Sequence, residues 1–190
     1  MIEHLRPALA LLGGLTLLTG VAYPAAITGL ARITFPGAAN GSLVVVDGRV
    51  VGSRLIGQSF TEPKWFHGRP SATPAAPYDA AGSSGSNLGP SSAKLVGRVR
   101  ADTEALKAEA GVPTVPADAV TTSASGLDPH ISPAFAALQA PRVAATRGLP
   151  EGKVRDLIAA ATRGRDLGFL GEPRVNVLEL NLALARLGPS

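Results

Sequence analysis

The stretch PALALLGGLTLLTGVAYPAAITGLA, residues 7–31, decides the fold class because it contains no charged side chain. A helix needs roughly 20 apolar residues to cross a bilayer core, so the stretch predicts a transmembrane helix within residues 1–33. A secretory signal peptide is the alternative, since Glu3, His4 and Arg6 precede the run and small residues follow near Ala25. Its apolar region usually has only about 7–15 residues, and this longer run favours an uncleaved anchor.

The charges that flank the span leave its orientation nearly balanced. Arg6 lies before it and Arg32 at its other end, and long domains cross the membrane largely regardless of charge. A very short head before a long polar body favours a cytoplasmic N-terminus and an extracytoplasmic domain at residues 34–190. The absence of cysteine fits an exported domain, although cytosolic proteins can also lack it.

Small residues recur along one face of the span. Ala10, Gly13, Thr16 and Gly20 follow one another at intervals of three or four residues, which places them on one helical face. Small side chains let another membrane helix approach closely, so Gly13 and Gly20 are candidates for a helix interface. The alternative is that glycine and alanine are simply common in such helices.

The rest of the chain predicts one α+β domain with a short hairpin or sheet, three to four helices and long irregular loops. In SLVVVDGRVV, residues 42–51, valine-rich arms flank Asp47 and Gly48, a pair typical of a type I′ hairpin turn. Residues 58–90 form a long Pro-, Gly- and Ser-rich segment with aromatic anchors at Phe60, Trp65, Phe66 and Tyr78. Helices are expected at residues 90–110, from residue 133, at residues 150–162 and from about residue 177.

Local signals set the expected helix ends. Ser132 followed by Pro133 is typical of a helix start, and Pro141 should end or kink that helix. The alternating leucines after residue 177 are also compatible with a strand. Asn176 with Glu179 three residues later resembles a capping box and favours a helix.

Two serine motifs suggest a serine hydrolase, but each lacks an element that such an enzyme needs. Ser91 and Lys94 match S-x-x-K, but the K-T-G element that penicillin-recognising serine enzymes also need is missing. The serine is better explained as a helix cap, with an anchored serine hydrolase kept as the alternative. GSSGS, residues 82–86, does not match the G-x-S-x-G nucleophile elbow of hydrolases. It is also not followed by the G-K-[ST] of a phosphate-binding P-loop, so we expect a flexible turn.

Asp128 and His130 form a D-x-H pair in SGLDPHISPAFAALQAPRVA, residues 125–144. Two ligands do not make a metal site, and none is predicted. Asp128 before Pro129 indicates an Asx turn, and His130 is expected to donate a ring N–H to a nearby carbonyl. Arg142 and Arg174 each follow a proline, and we expect at least one to clamp loop carbonyls or a partner carboxylate.

The basic balance does not indicate nucleic-acid binding. The net charge is +4 and the isoelectric point is near 10, but the basic residues are scattered and only one Trp and two Tyr are available for stacking. A domain close to anionic membrane lipid explains the mild basic excess equally well.

In order along the chain, several segments resemble the C subunit of the Kdp-type potassium-transporting P-type ATPase. The resemblance covers almost the whole chain and rests on GSRLIGQSF (52–60), FHGRPSA (66–72), SGSNLGP (84–90), SGLDPHISP (125–133), QAPRVA (139–144) and GFLGEPRVNVLELNLAL (168–184). Asp79 and Ser84 depart from the family pattern, where asparagine and glycine are usual. That weakens a glycine-based nucleotide contact more than the family resemblance.

The resemblance implies a non-catalytic, single-span accessory subunit of a bacterial inner-membrane pump. Its expected partners are the potassium-channel-like subunit, the ATP-hydrolysing P-type subunit and a small single-helix subunit. It also implies a catalytic chaperone that raises the ATP affinity of the hydrolysing subunit, and Ser86, Asn87 and Gln139 are candidates for a nucleotide contact. An extracytoplasmic domain cannot touch cytoplasmic ATP, so we expect no cofactor on this chain and ATP only through the partner. The rival is direct nucleotide contact by a cytoplasmic domain. A pure assembly protein is the further alternative.

Overall fold

A computed structural model describes residues 2–188. The chain divides into two compact units between Val51 and Gly52. The predicted boundary between residues 33 and 34, which separates the span from the soluble domain, stays a prediction.

The first unit is dominated by one long apolar helix. A 3-10 turn at Ile2–His4 leads into α1 (Leu5–Leu17), a π-helical segment (Leu18–Ala22) and α2 (Tyr23–Thr34). Together they form the only helix in residues 2–188 that is long and apolar enough to cross a membrane. At 1.5 Å per residue it is about 45 Å long, more than a bilayer core of about 30 Å requires. The predicted single apolar span is confirmed.

The π-helical segment directly precedes Pro24. The Tyr23 N–H bonds to the Leu18 carbonyl, five residues back, instead of four as in an α-helix. Pro24 cannot donate a hydrogen bond and its ring disturbs the preceding turn. The wider turn accommodates that local break within an otherwise continuous helix.

A short helix, α3 (Pro36–Ala39), is followed by the predicted hairpin of β1 (Leu43–Val46) and β2 (Arg49–Ser53). The two residues between the strands are in the left-handed region, with φ of 50° at Asp47 and 76° at Gly48. Positive φ at both positions defines a type I′ turn, whose twist matches that of the paired strands. The hairpin is confirmed.

In its described residues, 52–188, the second unit combines four helices, a small sheet and long loops. Its helices and strands are β3 (His130–Ile131), β4 (Thr162–Arg163), β5 (Arg174–Asn176), α4 (Ala93–Ala110), α5 (Pro133–Arg147), α6 (Glu151–Ala161) and α7 (Val177–Ala185), with 3-10 turns at Ala80–Gly82 and Ala117–Ala119. β5 lies in the middle of the sheet and is antiparallel to both neighbours, with Ile131 and Thr162 opposite Val175. The α+β prediction is confirmed.

The core lies between α5, α6, α7 and β5. Ala136, Ala140, Val143, Val154, Val175, Leu180 and Leu184 are fully buried there. Small alanines on α5 let its neighbours pack closely. Phe66 from the long loop is also fully buried, with Phe60 and Trp65 against the same cluster, so the predicted aromatic anchors attach this loop to the core.

The predicted helix starts are close to the observed ones. The side chains of Ser132 and Asn176 cap α5 and α7. Helix α4 begins at Ala93, three residues later than expected, and its cap is Ser92. Pro141 was expected to end or kink α5; it does not end it, because the helix continues to Arg147 and ends at Gly148, which has φ of 63°. A kink at Pro141 stays a prediction. The core contacts of Ala140 and Val143 on either side outweigh the roughly 3 kcal/mol that an internal proline costs.

Candidate functional site

The start of α5 is tied to a neighbouring loop through Asp118. The Ser132 hydroxyl accepts from the Phe135 N–H at 3.0 Å and donates to Asp118 Oδ1 at 2.9 Å. The backbone N–H of Ser132 donates to Asp118 Oδ2 at 2.6 Å. These bonds fix where α5 begins, and so they fix the positions of Gln139 and Arg142 further along it.

Two buried side-chain amides bind the backbone of Phe66 and His67. Gln139 Oε1 accepts from the His67 N–H at 2.8 Å, and Gln139 Nε2 donates to the His67 carbonyl at 3.1 Å. Asn181 of α7 makes the same pair of bonds with Phe66, both at 2.9 Å. Since buried backbone groups need partners, these amides replace the strand that would otherwise pair with this segment.

Two arginines of α5 bind the backbone of residues 63–65, just before Phe66. Arg142 Nη1 donates to the Pro63 carbonyl and, at 3.1 Å, to the Trp65 carbonyl. Arg147 Nε donates to the Lys64 carbonyl at 3.1 Å, and its guanidinium lies over the Trp65 ring, 4.5 Å from the ring centroid. The expected arginine clamp is therefore confirmed at Arg142. We call residues 63–67, held by Gln139, Arg142, Arg147 and Asn181, the clamped segment.

A cleft of about 360 Å³ opens beside the clamped segment, and we call it the α5 cleft. Its polar residues include His67, Glu109, Gln139 and Arg142, and its apolar residues include Phe135. Arg142 Nε pairs with Glu109 at 3.1 Å, and Arg142 Nη2 donates to Gln139 at 2.8 Å.

The surroundings of His67 in the α5 cleft favour its neutral form. Burial and then the Arg142 charge lower the pKa of His67, although its bond to the Glu62 carbonyl and the Glu109 charge oppose them. The His67 ring nitrogen Nε2 lies 3.2 Å from that carbonyl.

Asp128 is the centre of a second polar cluster. Its Oδ1 accepts from the His130 N–H at 2.9 Å, which confirms the predicted Asx turn. Arg69 Nη1 lies 3.1 Å from Oδ2, and His130 Nδ1 lies 3.6 Å from Oδ1. The expected carbonyl partner of the His130 ring is thus replaced by the Asp128 carboxylate. Burial alone would raise the pKa of Asp128, but the bonds from His130 and the charge of Arg69 bring it below its usual value.

Arg69 and Tyr78 extend this cluster into the long loop. The remaining nitrogens of Arg69 donate to Thr121 and to the Thr122 carbonyl. The Tyr78 hydroxyl donates to the Arg69 carbonyl at 2.7 Å. Burial, with the Asp128 charge, raises the pKa of Tyr78 to about 12. The ring lies so close to Gly57 that a Cβ there would be 2.4 Å from Tyr78 Cε1, so only glycine fits.

The three nucleotide candidates occupy different surroundings. Gln139 is 6% exposed, and its amide is bonded to His67. Ser86 is partly buried and Asn87 is exposed, and among the described residues the lining of the α5 cleft includes Gln139 but neither of these two. A nucleotide contact by any of the three stays a prediction.

The serine-rich stretch at residues 82–86 was expected to be a flexible turn, but it is hydrogen-bonded to residues 124–125. The Ser84 N–H donates to the Ser125 carbonyl at 2.9 Å, and the Ser83 hydroxyl donates to the same carbonyl. A Cβ on Gly85 would lie 2.9 Å from the Ala124 carbonyl. In the S-x-x-K motif it is Ser92, not Ser91, that caps the helix, and both Ser91 and Lys94 are exposed.

The remaining candidates, Arg174, Gly13 and Gly20, lie outside the two polar clusters. Arg174 pairs with the exposed Asp166 at 3.2 Å and not with loop carbonyls. Gly13 and Gly20 lie in the long helix with open space where a side chain would be, and their packing against a partner helix stays a prediction.

Sequence reasoning missed Arg69, Arg147 and Asn181. Asn181 carried a usable signal, because it is the one amide inside the apolar run of α7 and is 2% exposed. A polar side chain at a core position must find a buried partner. Arg69 and Arg147 carried none, since their partners lie about 50 to 80 residues away in the sequence.

Comparison with known proteins gives a consistent picture over the length of the chain. The family described as K+-transporting ATPase, c chain (KdpC), matches residues 5–186. A protein of Methylobacterium nodulans named Potassium-transporting ATPase KdpC subunit is 62% identical, with 98% of each chain covered. Proteins of the same name from Methylorubrum extorquens and Rhodopseudomonas palustris are 58% and 57% identical, with 97–98% of this chain and 98% of each relative covered. Similarity at this level over nearly the full length shows that the chain belongs to the KdpC family, the c chain of the K+-transporting ATPase.

Proposed function

We propose that this chain is a non-catalytic accessory subunit of a potassium-transporting P-type ATPase. It stabilises the assembled pump and acts as a catalytic chaperone that raises the ATP affinity of the hydrolysing subunit. The observation that carries this proposal is the similarity to the KdpC family over residues 5–186. The partners are the potassium-channel-like subunit, the ATP-hydrolysing subunit and the small single-helix subunit.

The polar side chains of the two clusters support a structural role. Gln139 and Arg142 direct their polar atoms at the clamped segment, and Asp128 holds a turn and Arg69. An acid or base for catalysis needs a proton-transfer partner at a reacting group. These side chains instead satisfy backbone groups and one another, as expected for a rigid scaffold.

The proposed topology is a single pass through the inner membrane, with a cytoplasmic N-terminus and an extracytoplasmic domain. The long apolar helix at Leu5–Thr34 supports the single pass. The chain has no cysteine, so a Ser91→Cys variant would carry one exposed thiol. In oriented membrane vesicles, a membrane-impermeant maleimide should label it only from the extracytoplasmic side. Labelling only from the cytoplasmic side would overturn this topology, and unmodified chain is the background control.

This topology sets the mechanism by which ATP affinity changes. An extracytoplasmic domain cannot touch ATP, so its effect must pass through the pump by binding one conformational state more tightly than another. The coupling is reciprocal: ATP binding to the hydrolysing subunit strengthens the hold on this chain by the same factor.

Co-purification tests the subunit assignment. An affinity tag on this chain should recover the channel-like and hydrolysing subunits from detergent-solubilised membranes, and recovery of the tagged chain alone would refute the assignment. A Ser91→Ala variant is the control for hydrolase chemistry. It should retain both assembly and potassium uptake, and loss of uptake in an assembled complex would favour the hydrolase alternative.

A further inference from the structure

The α5 cleft combines apolar walls with a single permanent cation. Its volume of about 360 Å³ is within the range of small-molecule sites. Helix α4 contributes Leu106 and Ala110 to the lining, and α5 contributes Leu138 and Ala145. Among the described residues of the lining, Arg142 is the only Lys or Arg. A concave apolar site with a few fixed polar groups is the usual form of a ligand-binding site.

The guanidinium of Arg142 is fixed in position within the protein. Its side chain is only 18% exposed. The Nη1 group donates to the Pro63 and Trp65 carbonyls, and the Nη2 group donates to Gln139 Oε1. Burial lowers the pKa of Arg142, and the nearby charge of Glu109 opposes that effect. Since a partly buried cation is costly without an anion, this position favours a carboxylate partner.

One edge of the Arg142 guanidinium is only partly used. Among the described residues, its hydrogen bonds come from Nη1 and Nη2, whereas Nε lies 3.1 Å from Glu109 Oε1 in an ion pair. Nε and Nη2 form an edge of the planar group that can bind both oxygens of one carboxylate. Glu109 leaves this two-oxygen contact unmade.

Glu109 is a weakly held partner of Arg142. Its side chain is 53% exposed, and it lies in the last turn of α4, which ends at Ala110. A carboxylate at this end of a helix faces the negative end of the helix dipole, which is unfavourable. Exposed ion pairs also contribute little to stability. Glu109 can therefore leave Arg142 at small cost when another carboxylate binds there.

We infer that the α5 cleft binds a small, free monocarboxylate with a compact apolar body. The two carboxylate oxygens replace Glu109 on the Nε–Nη2 edge of Arg142, and the apolar body lies against Leu106 and Leu138. Glu109 holds the place of this ligand when the cleft is empty. The inference goes beyond the proposed function and does not depend on it, because the whole site lies within this chain.

Methyl NMR of the full chain in a non-ionic detergent tests the site directly. The probe is 3-phenylpropionate, and the matched control is its neutral amide, 3-phenylpropionamide. We expect saturable shifts of the Leu138 and Ala145 methyl signals, with the acid binding about fivefold or more tightly than the amide because its hydrogen bonds are charge-assisted. Equal binding of acid and amide, or no saturable shift with the acid, would overturn the inference.

Substitution of Glu109 tests whether it competes with the ligand. Glu109→Gln should tighten binding of 3-phenylpropionate about twofold to fivefold, the fold-change that corresponds to removing an exposed ion pair. Glu104→Gln is the matched control, since Glu104 is 68% exposed on the same helix and lies outside the lining, and it should leave the affinity unchanged. Weaker or unaltered binding in Glu109→Gln, or an equal gain in Glu104→Gln, would refute the competition.

The assembled pump distinguishes a free acid from a carboxylate that another subunit supplies. Equilibrium dialysis with radiolabelled 3-phenylpropionate should show saturable binding both to the isolated chain and to the purified complex that contains it. Binding to the isolated chain alone would show that another subunit fills the cleft, and the free acid would then not be its ligand.

Discussion

Gln139 shows at the scale of one residue how a polar side chain can act on the fold without any bond-making chemistry. Its amide carries one acceptor and one donor group, and both are used by the peptide groups of His67. The same amide accepts from Arg142. A buried amide with these partners fixes the position of the loop backbone at His67.

The first prediction concerns Gln139. Gln139→Ala leaves the His67 N–H and carbonyl without partners, and it should lower the free energy of unfolding by about 2–4 kcal/mol. Urea unfolding of the detergent-solubilised chain measures this. Lys153→Ala, at an exposed position of α6, is the control and should change stability by less than about 0.5 kcal/mol. If Gln139→Ala unfolds like wild type yet alters the ATP dependence of the pump, the nucleotide role would be favoured instead.

The second prediction follows from Tyr78. Its pKa of about 12 in the folded chain exceeds the ordinary value of 10.0, so folding favours the protonated phenol. The resulting stability is complete below pH 10 and is lost as the pH rises towards 12, by on the order of 2 kcal/mol. Unfolding free energies measured from pH 9 to 12 should show this fall in wild type and not in Tyr78→Phe. The same fall in both proteins would show that another group is responsible.

At the scale of elements, α5 organises the clamped segment. Its capped start is bonded to Asp118, its middle presents Gln139 and Arg142, and its last residue, Arg147, reaches Lys64. Its apolar face packs in the core on both sides of Pro141. The helix therefore joins the core to the long loop that precedes it.

The third prediction tests how α5 begins. Ser132→Ala removes the cap and the hydroxyl bond to Asp118, and it should cost about 1–2 kcal/mol of stability. Asp118→Ala removes partners of the same serine, so the double variant should be less destabilised than the sum of the two single variants. Urea unfolding of the three variants measures the coupling. Strict additivity would show that the two residues act independently.

Local chemistry explains which elements were predictable from the sequence. The hairpin at Asp47-Gly48 and the starts of α5 and α7 depend on turn and cap residues that are neighbours in the chain. Strands β3, β4 and β5 have two or three residues each, too few for a period to show. The clamped segment could not be predicted because its partners lie about 70 to 115 residues away. Helix α5 continues past Pro141 because core packing, a long-range effect, overrides the local helix-breaking preference.

At the scale of the whole molecule, a chain that belongs to the KdpC family has one long apolar helix and a domain whose long loop is held by buried hydrogen bonds. A loop held in this way serves the proposed role. A chaperone that acts at a distance must hold a fixed surface against one state of the pump, because a surface that adapted equally to all states would shift no equilibrium.

The fourth prediction tests most directly the proposal that this chain raises the ATP affinity of the hydrolysing subunit. The potassium-stimulated ATPase rate of the purified pump is measured against ATP concentration, once with this chain bound and once after its removal. We expect the bound chain to lower the ATP concentration for half-maximal rate about fivefold or more, the range of ordinary allosteric coupling. The same ATP dependence in the pump shown to contain the chain and in the pump from which the chain has been removed would contradict this role.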